Sequence, residues 1–136
     1  GLRFVETGAG TYTGTITIPA YALLIDVIVF AEALWTAATS AALNVGDDDD
    51  ADGFWTAIDL KATDLLALES LSFSEIGSAA DAGAYIDGTA THILNRVSAT
   101  ARTLTATVVS VGAGTAGRTI VIPVFSQAVL EQVDVT

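Results

Sequence analysis

Asp48-x-Asp50-x-Asp52-Gly53 sets three carboxylates at alternate positions ahead of a glycine, and Asp59 stands twelfth in the same run. This is the ligand spacing of a calcium loop: alternate carboxylates converge on a hard cation, the glycine permits a sharp turn, and the last acid closes the shell. Asp48, Asp50, Asp52 and Asp59 are therefore the candidate Ca²⁺ ligands. Three features depart from the pattern. Residues 41–45 read as a strand rather than a helix, Trp55 replaces the usual aliphatic residue, and Asp59 is shorter than the usual glutamate. The competing expectation is a hydrated acidic turn over residues 47–52 that binds no cofactor and partly caps local N–H groups.

Other residue types offer less. His92 is the only imidazole and alternates with Leu94 and Arg96 along an expected strand, which favours a surface or interface role over a catalytic one. No G-x-S-x-G nucleophile elbow accompanies it. Residues 112–117 contain G-x-G-x-x-G, but they lie between two expected strands. Without a following helix there is no dipole to hold a phosphate, so a hairpin turn is expected. Nothing in the spacing singles out two of the 16 acids as a glycosidase pair. Trp35, Phe54, Trp55 and Tyr85 offer faces for sugar stacking, although such aromatics more often anchor a core or an interface.

The elements that must carry these residues are strands. Thr11, Thr13, Thr15 and Thr17 alternate with Tyr12, Gly14, Ile16 and Ile18, which predicts a half-buried strand with an outward threonine ladder, ended by Pro19. Residues 22–35 predict a longer strand whose second face, with Ile28, Phe30 and Leu34, is too apolar to lie wholly in water. Further strands are expected at 41–45, 53–60, 91–97, 103–111 and 118–125, with helix or coil at 62–71 and Pro123 at an edge or bulge. Short strands separated by turns predict an all-β antiparallel sandwich, jelly-roll-like, over residues 10–136, preceded by an N-terminal arm at 1–9.

Composition narrows the function. With 16 acidic and 5 basic residues the chain carries a net charge of −11, which repels nucleic acid and anionic membrane alike. The longest apolar stretch, residues 20–34, is interrupted by Asp26 and Glu32 and does not suit a bilayer span. The opening residues lack the pattern of a signal peptide. Absence of cysteine removes disulfides and thiol chemistry.

The order of the pieces carries a resemblance. Ile16-Thr17-Ile18-Pro19-Ala20 leads to Leu24-Ile25-Asp26-Val27-Ile28-Val29, then to Leu43-Asn44-Val45-Gly46-Asp47 and Asp50-Ala51-Asp52-Gly53-Phe54, with Thr115-Ala116-Gly117-Arg118 before a valine-rich closing strand. Over residues 10–126 this resembles the small β-sandwich head proteins of tailed bacteriophages. The resemblance implies a non-enzymatic capsid decoration, or cement, protein on the outer surface of the virion. It further implies that the partners are the major capsid protein and other copies of the chain, as a homotrimer, and that there are no catalytic residues. The alternatives are a Ca²⁺-dependent glycan- or receptor-binding module and a head–tail connector or tail component.

Overall fold

Strands form where apolar and polar residues alternate most strictly, because successive side chains on a strand point to opposite faces. The computed structural model describes residues 1–75, 81–87, 93–126 and 133–135. Its strands are β1 (Leu2–Val5), β2 (Gly10–Ile18), β3 (Leu24–Ala33), β4 (Ser40–Gly46), β5 (Trp55–Asp59), β6 (Ser70–Leu71), β7 (Arg102–Val111) and β8 (Arg118–Phe125), with a 3-10 turn at Phe73–Glu75. Among the described residues no helix is long and apolar enough to cross a membrane.

The strands pair antiparallel in two sheets, β1-β8-β3-β6 and β2-β7-β4-β5. Strand one thus pairs with eight, two with seven, three with six and four with five, as if one long antiparallel ribbon had been rolled up. That is the order of a jelly roll. The core lies between the sheets and is built from inward residues of both, including Leu24, Val27, Val29 and Val121 from one and Leu43, Val45, Leu104, Ala106 and Val108 from the other. Two tryptophans tie the layers together. Trp55 Nε1 donates to the Val27 carbonyl at 2.8 Å, and Trp35 Nε1 donates to Thr119 Oγ1 at 2.9 Å, so neither ring leaves a buried donor unpaired.

Several expectations are corrected by pairing. Residues 1–9 were expected as an arm, yet β1 is a strand of the first sheet, with Leu2 opposite Val121 and Phe4 opposite Thr119. Phe4 is buried, and its alternation with Leu2 lets so short a segment join the core. Residues 112–117 are not a hairpin, because β7 and β8 belong to opposite sheets. They form an arch from one sheet to the other, and Gly117 permits it: a Cβ there would come within 2.4 Å of the Trp35 ring. The expected alternation of β3 shifts at a bulge between Leu24 and Asp26, which buries Leu24 and turns Ile25 outward. Residues 93–97 form no strand, and His92 lies outside the described residues. The 62–71 segment takes the coil alternative, forming turns that end in β6, with Ala62 and Leu68 at positive φ. Pro123 lies in a central strand, but beyond Leu2↔Val121, where β1 has ended and that side is locally open.

Candidate functional site

The acidic run connects β4 to β5 and is organised by Asp47, the one aspartate of the run that is buried. Its Oδ1 accepts from the backbone N–H of Asp49 at 3.0 Å, that of Asp50 at 3.1 Å, and the Tyr85 hydroxyl at 2.8 Å. Its Oδ2 accepts from Asn95 Nδ2 at 3.2 Å and lies 3.6 Å from Arg102 Nη1. Gly46 makes the turn possible, since a Cβ there would meet the Asp50 carbonyl at 2.0 Å. Asp47 thus turns the loop locally and fixes it to three distant segments.

The buried cluster perturbs its own members. Burial, and then the hydrogen bond to Asp47, push the Tyr85 phenol far above its ordinary value, so it remains a neutral donor. Burial pulls the Arg102 guanidinium below its ordinary value, against the opposing charge of Asp47. Arg102 Nη1 donates to the Asn95 carbonyl, while Nε and Nη2 are buried without a partner. Beside this cluster lies a pocket of about 230 Å³ whose lining includes Asp48, Asp49, Asn95, Ser98, Thr100 and Arg102.

The four candidate ligands are not assembled around one point. Asp48 Oδ2 accepts from the Thr103 N–H at 3.4 Å. Asp50 and Asp52 lie together: the shared hydrogen bond, then burial, raise Asp50, while Thr56 and Asp50 lower Asp52. Of this pair Asp50 is the one that takes up a proton first. Asp59 lies at the far end of β5, about 13 Å along the strand from Trp55 at the usual rise per residue. A calcium loop would continue into a helix that curls its twelfth residue back. Here a strand carries that residue away. Among the described residues no three His, Cys, Asp or Glu side chains are grouped to hold a metal. Trp35, Phe54, Trp55 and Tyr85 are all buried, which removes their faces from glycan stacking.

Asp59 joins a second acidic group instead. Its N–H donates to Asp64 Oδ2 at 2.6 Å, and its Oδ1 accepts from the Lys61 N–H at 2.8 Å. Asp81 faces both. Burial first, then Asp64 and Asp59, push the Asp81 carboxyl up to about 6. A carboxyl raised on folding binds its proton more tightly in the native state. Its stabilisation is complete below the unfolded value near 4 and is lost as pH rises through about 6. Asp81→Asn is therefore expected to raise the melting temperature at about pH 7. The gain, roughly 1 kcal/mol after solvent screening, shrinks toward about pH 5. Thermal denaturation of both proteins across that range checks it, and equal gains at both ends would remove the assignment.

The outer face of the first sheet carries an apolar stripe, with Asp26 opposite Val124 at one end. Ile28 lies opposite Ile122, and Phe30 opposite Ile120, with Val124 next along β8. Ile122 is 37% exposed and the other four are half-buried. Arg3 and Glu32, bonded at 3.0 Å, border this face. Sequence alternation disclosed the stripe on β3 (Ile28, Phe30). Only the β3–β8 register shows that β8 doubles its width.

The chain matches no protein-family model, and comparison with curated proteins and with solved structures finds no match to either.

Proposed function

We propose that the chain is a non-enzymatic virion structural protein, a decoration protein that docks on the outside of a tailed-phage head lattice as a homo-oligomer. The observation that carries this reading is the apolar outer face made by Ile28, Phe30, Ile120, Ile122 and Val124 on a rigid jelly roll. A contiguous, partly exposed apolar patch on a chain of high net charge is suited to association. The net charge of −11 suits the outer side of a capsid, away from packaged DNA. The major capsid protein is the partner assigned to this face.

The test is co-sedimentation of the purified chain with particles assembled from the major capsid protein of the same genome, with and without chelator. Binding that survives chelation and falls at least about tenfold in Ile122→Glu supports the reading. Ile122 is exposed enough for that variant to keep its fold, which circular dichroism checks. Failure to bind removes the capsid role. Binding seen only with Ca²⁺ favours the metal-dependent module instead.

A further inference from the structure

We infer that β2 is an interaction edge that pairs antiparallel with β2 of a second copy, joining two of the β2-β7-β4-β5 sheets into one continuous sheet. This goes beyond the capsid reading, does not rest on it, and sets a dimer in place of the homotrimer that the resemblance implies.

A strand at a sheet edge exposes a row of unpaired N–H and C=O groups, and proteins usually blunt such edges by shortness, charge, proline or irregularity. Three of the four edges here are treated that way. β1 has four residues and carries Arg3, and β6 has only two. β5 has five, with Ala57 at positive φ and Asp59 at its end. β2 is different. It runs for nine residues in unbroken register with β7, from Gly10↔Ser110 to Ile18↔Arg102. No strand among the described residues pairs with its other side. It contains no proline and no charge.

Charge selects the occupant. In a chain of net charge −11, residues 7–25 carry no Asp, Glu, Lys, Arg or His at all. A second acidic copy is repelled from most of this surface, but not from this edge. The strand also fits a two-fold axis, which requires a patch to complement itself. The antiparallel register that pairs all of Gly10–Ile18 puts Gly14 on the axis. Thr13 then faces the partner's Thr15, and Tyr12 faces the partner's Ile16. Threonine already pairs with threonine across β2–β7, at Thr13↔Thr107, Thr15↔Thr105 and Thr17↔Thr103, so the seam would extend an existing array. A groove of about 340 Å³, whose lining includes Leu2, Arg3, Phe4, Tyr12, Thr13 and Gly14, opens beside the edge, where the partner's Ile16 would lie.

Light scattering on the full chain at about 100 µM tests this. A dimer is expected for the wild type. Thr13→Lys with Thr15→Lys puts like charges face to face across the axis and is expected to weaken association at least about tenfold. Thr13→Lys with Thr15→Glu carries as many new charges, yet each lysine meets the glutamate of the other copy, so dimerisation is expected to return. Both positions are exposed, and unchanged circular dichroism confirms that the variants fold. A wild-type monomer or trimer, a dimer indifferent to the double lysine, or no rescue by the opposite-charge pair each overturns the proposal. A monomer that still binds capsids would overturn it while leaving the capsid role standing.

Discussion

Replacing Asp47 by alanine is expected to cost about 3–5 kcal/mol of unfolding free energy, while alanine at Asp48, one residue on and exposed, costs less than about 1. The difference lies in what each carboxylate holds. Asp47 is 7% exposed and accepts from two loop N–H groups, the Tyr85 hydroxyl and the Asn95 amide. It is also the partner of Arg102, whose side chain is 10% exposed. Its removal strands a buried guanidinium and a buried phenol, and an orphaned buried charge costs more than the lost bond itself. Chemical denaturation at neutral pH measures both variants. Equal losses at Asp47 and Asp48 would show that the loop is held by something other than the Asp47 carboxylate.

The second large effect is expected at Glu6. Alanine there should cost about 3 kcal/mol, and glutamine about half as much, because it retains an acceptor oxygen but not the charge. Glu6 is 1% exposed, at the end of β1. Its Oε2 accepts from the Gly117 N–H at 2.8 Å, the Thr36 N–H at 3.0 Å and the Thr36 hydroxyl at 3.2 Å. The Glu6 N–H donates in turn to the Gly117 carbonyl at 2.9 Å. One carboxylate thus clasps the first strand, the β3–β4 connection and the arch between the sheets. Burial alone would raise its pKa, but these donors outweigh burial and hold it below the ordinary value. A carboxyl depressed in the native state stabilises fully above its unfolded value near 4.5. That contribution is lost as pH falls through the lower folded value. The gap between wild type and Glu6→Ala is therefore expected to narrow in acid, opposite in sign to the effect at Asp81. Urea titrations at about pH 7 and about pH 3 measure it, and a constant gap would count against ionised Glu6 as the clasp.

The two acids with the largest expected effects on stability are not those the spacing picks out. D-x-D-x-D-G drew attention to Asp48, Asp50 and Asp52 because alternate carboxylates are a local pattern. Asp47 caps the local N–H groups of Asp49 and Asp50, as an acidic turn would, but its other partners, Tyr85, Asn95 and Arg102, lie far along the chain, as do Thr36 and Gly117 for Glu6. A buried carboxylate is defined by donors that converge on it from several segments, and only the fold sets that convergence. The same holds for Asp59, which lies in register with the calcium pattern by count and is carried off by β5.

What the sequence determined by itself is the strand character of the chain and the polarity of each face. Alternation is a property of neighbours, so Thr11 to Ile18 read as a two-faced strand and Ile28 with Phe30 read as a second apolar face, both as found. Short alternating strands separated by turn residues were enough for an all-β sandwich. Tertiary structure decided which strands meet. It placed Leu2 opposite Val121 and so made the N-terminal segment a strand. It sent β7 and β8 to opposite sheets, widened the Ile28–Phe30 stripe with Ile120 and Ile122, and left β2, among the described residues, as the one long bare edge. Alternation fixes which way a side chain points, but pairing depends on contacts between residues remote in sequence. Those contacts are chosen by the burial of the whole core at once.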